Sequence, residues 1–182
     1  PNFYGYSIPS NVYAASALYK LIEMNKVVWM DDALHSKSAR LLTDIENGIE
    51  RYGIVTVGDG VRVYAYEVDG IGGVLADFDD ANLPSLLSLP LLGWPKLDME
   101  VYAATRRRLL DPGINPQYFR GKDIQGIGSE HTMPGYVWPL AMVTEALTDK
   151  SIEQRARIAK MLLQTQCGNG LMHESVHANR TT

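Results

Sequence analysis

Apolar residues recur at helical spacing through much of this chain. From Ser10, the positions Val12, Ala15, Leu18, Tyr19 and Ile22 fall on one face, with Ser10 or Asn11 placed to cap the first turn. From about Asp32, Leu34, Leu41, Leu42, Ile45, Ile49 and Tyr52 form a second stripe that Gly53 stops, so the two segments predict a helical hairpin. The period then shortens. Ile54 to Val57 and Val61 to Val68 read as strands joined by Gly58, Asp59 and Gly60, a β-hairpin inserted between helical pairs. Pro84 is expected to open a short helix through Leu92 that Pro90 limits, and Asp98 to cap another that runs to about Leu110. A fifth helix is expected from Tyr136 to Leu147, and a sixth from the capping box Ser151 to Gln154 until near Gly168. Between them, Asp111 to Gly135 is a long loop rich in Gly and Pro. Loops of that length are more often functional than accidental, which makes it an expected wall of a binding site. Helical hairpins in succession, with long loops at one end, predict a mainly α architecture of helix packed on helix.

Composition narrows the function classes. The 182 residues are 46% hydrophobic and 21% charged, which fits one globular domain or part of one and excludes a disordered or collagen-like chain. A net charge of -4 argues against nucleic acid as a partner, because phosphate binding needs a concentrated basic face. The one basic run, Arg106, Arg107 and Arg108, reads as a solvated helix face that suits the dipole at a helix C-terminus. No apolar run reaches the length of a membrane span. A single cysteine, Cys167, excludes an internal disulfide and leaves the compartment open. The chain begins at Pro1 without an initiator Met and ends on Arg180, Thr181 and Thr182 just after its most chemically loaded segment. It is therefore expected to be a single partial domain over 1–182, cut at both ends.

Three constellations could carry chemistry. Asp77, Asp79, Asp80 and Asn82 gather carboxylates and an amide before an expected helix. They could cap that helix, recognise sugar hydroxyls through paired hydrogen bonds, or hold magnesium for a diphosphate substrate. His173, Glu174 and His177 spell the His-Glu-x-x-His pattern of zinc peptidases, which works only on a helix, where two histidines four residues apart share a face. Gly168 and Gly170 disfavour a helix leading into it. The other reading places Glu174 on a loop after the sixth helix as a general base acting on water, flanked by His173 and His177. Trp138 follows a loop, Gly126 to Thr132, dense in hydrogen-bonding groups that include His131. An aromatic face beside such groups is a common way to hold a sugar ring, although burial statistics favour a core role for a tryptophan.

Six stretches taken in order, YSIPSN (6–11), YAYEVDG (64–70), DDANLPSLLSL (79–89), GIGSEHT (126–132), YVWP (136–139) and MHES (172–175), resemble glycoside hydrolase family 125, which includes the fungal proteins called meiotically up-regulated gene products. The resemblance covers nearly the whole chain. It implies an (α/α)6 barrel, incomplete here, and metal-independent, inverting hydrolysis of terminal α-1,6-linked mannose on an oligosaccharide or N-glycan, with no cofactor. By motif, Glu174 would be the general base, and Asp79, Asp80, Asn82, His131, Trp138 and His173 would line the mannose pocket. Inversion needs a second carboxyl group about 6.5–9.5 Å away across the scissile bond. In the family it is expected in an Arg-Pro-Ser-Asp-Asp type segment just ahead of YSIPSN, which places the general acid upstream of Pro1, with Asp80 as fallback. This chain alone is then expected to be inactive and to expose apolar helix faces. The alternatives are a zinc metallopeptidase through His173, Glu174 and His177, and a non-catalytic mannan-binding protein. The sequon Asn179, Arg180, Thr181 leans slightly towards a secretory or extracellular location.

Overall fold

A computed structural model describes residues 3–58, 60–166, 168 and 170–179. Asp59, Cys167, Arg180 and Thr181, which enter the turn, disulfide and sequon expectations, lie outside the described residues. The chain forms two compact units, one from the residues up to Ala76 together with Leu89–Ala104, the other from Asp77–Ser88 and the chain from Thr105 onward. The mainly α class expected from the sequence is observed.

The first unit opens with strand β1 (Tyr6–Ser7) and helix α1 (Ile8–Val27). The helix starts earlier than the apolar stripe suggests: Ser7, not Ser10 or Asn11, is the cap, and its hydroxyl accepts the Ser10 amide. Pro9 sits in the first turn, where a missing N–H leaves no hydrogen bond unmade. Helix α2 (Asp32–Gly48) packs back against α1, and Asp31 caps it by accepting the Ala33 and Leu34 amides at 2.8 and 2.9 Å. Its inward face is not the expected one throughout. Ser38, Leu42, Glu46 and then Ile49 are buried, whereas Leu41 is 51% exposed.

Glu46 can face inward because three donors meet it: Tyr19 Oη at 2.8 Å, Trp94 Nε1 at 3.2 Å and Lys96 Nζ at 2.6 Å. Burial works against its charge, but the bonds from Lys96, Tyr19 and Trp94 outweigh it and hold the carboxyl below its ordinary range.

A π-helical turn, Ile49–Gly53, leads into strands β2 (Ile54–Thr56) and β3 (Arg62–Tyr64), the antiparallel hairpin that the sequence predicts. The expected second strand, Val61 to Val68, is not continuous. Its end forms β4 (Glu67–Val68), which leaves the hairpin to pair with β1 on one side and β5 (Val74–Leu75) on the other. The buried Glu67 carboxylate stabilises this switch by accepting the Phe3 and Tyr4 amides at 2.7 and 3.0 Å.

The helix expected from Pro84 shrinks to α3 (Leu89–Leu92), which tolerates Pro90 in its first turn. The residues before it belong to the second unit and find other partners for their amides. Asp79 takes those of Leu86 and Leu87, while Ser85 and Ser88 bond each other's backbone. Such side-chain bonds compete directly with helix formation. Asp98 does cap α4 (Met99–Leu109), accepting the Glu100 and Val101 amides at 2.9 and 3.1 Å.

In the second unit, the expected loop from Asp111 to Gly135 contains a hairpin, β6 (Tyr118–Arg120) with β7 (Gln125–Ile127). The expected fifth helix begins later, as α5 (Pro139–Thr148), because Tyr136–Val137 is a strand, β8. Helix α6 (Ile152–Leu163) is capped by Ser151 as predicted, stops short of Gly168 and passes through a 3₁₀ turn, Gln164–Gln166. Strand β9 (Val176–His177) then pairs antiparallel with β8. Ile124, Val137, Met142, Ile158, Met161, Val176 and Ala178 form the core beneath these strands.

Two of the three consecutive arginines are not a solvated face. Arg106 bonds Asp149 at 2.8 Å, and Arg108 grips Asp77 through two bonds of 2.6 and 2.7 Å. Carboxylates supplied by distant segments override the solvent preference that the run alone suggests. No helix among the described residues is long and apolar enough to cross a membrane.

Candidate functional site

The four polar residues of the 77–82 segment have separate fates, set by their partners. Asp77 is neutralised by Arg108. Asp79 is fully enclosed, and its two oxygens accept the Leu86 and Leu87 amides at 2.8 and 2.9 Å. Burial, helped by the neighbouring Asp80 charge, pushes its carboxyl up to about 7 against the pull of those two amides. With no exposed surface, Asp79 shapes the loop and presents no atom to a ligand. The helix-cap reading of the segment fails because no helix begins at Pro84, and α3 starts only at Leu89. Asp79 instead ties down the loop ahead of α3.

Asp80 points the other way along the chain. Its Oδ1 accepts the Asn82 amide and side-chain Nδ2 at 2.8 and 2.7 Å, and its Oδ2 accepts Ser129 Oγ at 2.8 Å and the Glu130 amide at 3.3 Å. Ser129 Oγ in turn accepts Asn82 Nδ2 and the His131 amide, each at 3.2 Å. Asp80 and Asn82 therefore hold the GIGSEHT stretch from one side.

Trp138 holds it from the other. Its Nε1 donates to Thr132 Oγ1 at 3.0 Å, and Thr132 Oγ1 donates to the Ser129 carbonyl at 3.1 Å. Trp138 is only 6% exposed, so the open stacking face expected of a sugar platform is not available. Its indole lies 6.5 Å from the exposed His131 ring at a tilt of 44° and supports that ring rather than a free surface. The segments meet closely at Gly128, where a Cβ would collide with the Tyr136 carbonyl and the Phe119 ring. Glycine is required there by contact, not by dihedral angle.

The β8–β9 ribbon brings in the second cluster. Val137 faces Val176 across the antiparallel pair, so the chain enters β9 from Glu174 and Ser175 at the end where Trp138 leaves β8. Glu174 is exposed and His173 half-buried, on a loop as the general-base reading requires. The helix that a zinc site at His173 and His177 would need is absent. His177 lies on the strand, packs edge-on against Tyr136 at 5.3 Å, and accepts the Asn179 amide at its Nδ1. Among the described residues, no three His, Cys, Asp or Glu side chains are grouped to hold a metal ion.

The structure thus joins Asp80, Asn82, His131 and Trp138 in one network, places Glu174 and His173 at the neighbouring end of the ribbon, and sets Asp79 apart. Ser129 and Thr132 escaped the sequence reading. Their signal was present as two small hydroxyl residues flanking the Glu130–His131 pair, but the bonds they make depend on long-range partners.

The family model described as metal-independent α-mannosidase (GH125) matches residues 1–182. The chain is 40% identical over 175 residues to the meiotically up-regulated gene 157 protein of Schizosaccharomyces pombe, a match that spans 94% of this chain and 33% of that protein. It superposes with a TM-score of 0.91 and 37% identity on a Streptococcus pneumoniae protein from a family of metal-independent α-mannosidases, described as a non-productive substrate complex with α-1,6-mannobiose. That match covers 97% of this chain and 41% of the other. The chain spans about a third to two-fifths of the relatives it matches. It belongs to glycoside hydrolase family 125, the metal-independent α-mannosidases.

Proposed function

We propose that this chain forms part of the catalytic domain of an inverting exo-α-1,6-mannosidase, built as an (α/α)6 barrel that these residues complete only in part. Terminal mannose of an oligosaccharide or N-glycan is the substrate. The observation that carries the reading is the polar network from Asp80 through Ser129 and Thr132 to Trp138, which abuts the ribbon end bearing Glu174. A network of this kind fixes exposed hydrogen-bonding groups in place before a sugar arrives, which lowers the ordering entropy lost on binding.

Glu174 acts as general base on water, and His173, His131 and Asn82 face the terminal mannose. Asp80 fits a positioning role better than that of fallback acid, because both its oxygens already accept from four donors. A general acid must hold a proton towards the leaving oxygen. That acid is supplied from outside these residues, ahead of Pro1. Asp79 is a loop anchor and touches no sugar.

The test is hydrolysis of α-1,6-mannobiose by the full-length protein in the presence of a chelator, with the anomer released followed by NMR. Retained activity with β-mannose appearing first is expected. Stoichiometric zinc and loss of activity on chelation would instead support the metallopeptidase reading, and binding without hydrolysis would support a mannan-binding protein.

A further inference from the structure

Residues 129–132 form a tight turn in which the Thr132 amide donates to the Ser129 carbonyl at 3.1 Å. Both corners are tied to buried side chains. At the first, Ser129 Oγ donates to Asp80, whose residue is 8% exposed. At the second, the Thr132 hydroxyl bonds in two directions at once, accepting from Trp138 Nε1 and donating to the Ser129 carbonyl. The Glu130 amide, within the turn, is also fixed on Asp80. What such a turn presents is its two central residues, and both Glu130 and His131 are exposed.

We propose that Glu130 is a further substrate-contacting residue that determines specificity, and that Thr132 is the positioning residue that aims it; this rests on the mannosidase reading above. A carboxylate accepts from two neighbouring hydroxyl groups at once, and a hexose offers such pairs along its ring. His131, braced against Trp138, supplies the adjacent donor or acceptor. Three observations point the same way: the backbone of the turn is tied to buried partners, its central side chains are exposed, and Trp138, which bonds Thr132 of the turn, leaves β8 at the end where the chain enters β9 from Glu174 and Ser175.

The experiment measures α-1,6-mannobiose affinity and steady-state kinetics in the full-length protein for Glu130→Gln, Thr132→Val, Thr132→Ser and His131→Ala, with thermal stability recorded for each. Glu130→Gln keeps the outline but turns one acceptor oxygen into a donor. It is expected to raise KM and the Kd about 10-fold or more with kcat changed far less, the scale of a lost charge-assisted hydrogen bond. Thr132→Val should shift KM in the same sense, and Thr132→Ser should restore it. If His131→Ala weakens affinity while Glu130→Gln leaves it unchanged, the inference fails and the mannosidase reading stands. If none of the four variants alters mannobiose affinity, the site reading itself fails. Because Glu130 is exposed, its variant remains a folded test even where Thr132→Val does not fold.

Discussion

The turn at 129–132 and the segment 171–175 approach the β8–β9 ribbon differently: Trp138, at the end of β8, bonds Thr132 of the turn, whereas the segment runs directly into β9 at that end. The turn is fixed by side-chain bonds to Asp80, Asn82 and Trp138. The segment carrying Glu174 enters β9 through the register of two residue pairs, Tyr136 with His177 and Val137 with Val176, and Leu171 and Met172 are 68% and 65% exposed. The contrast teaches that recognition and reaction make different demands. A sugar is distinguished by the directions of its hydroxyls, which need a rigid frame, whereas a general base needs reach to a water and a carboxylate of suitable basicity.

The largest expected effect falls on the Glu174 segment. Glu174→Gln in the full-length enzyme should lower turnover by roughly 100-fold or more while leaving stability and mannobiose affinity near their original values. Equal loss of affinity would mean that Glu174 belongs to the frame instead. The frame should break next at Gly128: Gly128→Ala meets the Tyr136 carbonyl, backbone that cannot turn aside, and should destabilise the protein by about 2 kcal/mol, read by denaturant unfolding. Asp80→Ala removes the acceptor for four donors and should weaken mannobiose binding about 10-fold through misplacement of Glu130 and His131, read by calorimetry. Unchanged affinity with a lower melting temperature would reduce Asp80 to a structural anchor.

The smallest effect sharpens the difference between two adjacent aspartates. Burial raises the Asp79 carboxyl from its ordinary 3.8 to about 7 in the folded chain, so the folded state holds this proton more tightly than the unfolded one. The stability it contributes is complete below about pH 4 and is lost as pH rises through about 7. Asp79→Asn should flatten that part of the stability profile. Glu46, lowered by its three donors, has the opposite sign: its contribution is present above its unfolded value and lost as pH falls through the depressed one.

Much of this was legible in the chain. Period alone located α1 and α2, and the caps at Asp98 and Ser151 were read correctly because a capping bond is local. The family and its MHES segment were readable from ordered motifs. What local pattern could not reveal were choices settled by distant partners. Pro84 to Ser88 fails to become helix because Asp79 and the paired serines take its amides, and Tyr136 joins a strand because His177, 41 positions later in the chain, lies opposite it. Arg108 finds Asp77 in the same manner. The setting of Trp138 stayed open between core and sugar platform for a related reason: the sequence shows that an indole is present, but only the fold shows that it is 6% exposed and that its N–H is bound to Thr132.

The central claim is that the turn and the Glu174 segment face one mannose site. It is tested most directly by a crystal structure of the full-length Glu174→Gln protein with α-1,6-mannobiose. The account predicts the terminal mannose within hydrogen-bond distance of Asn82, Glu130 and His131, with the substituted side chain at position 174 beside a water placed for attack at the anomeric carbon. A mannobiose bound elsewhere, touching neither the turn nor position 174, would contradict it.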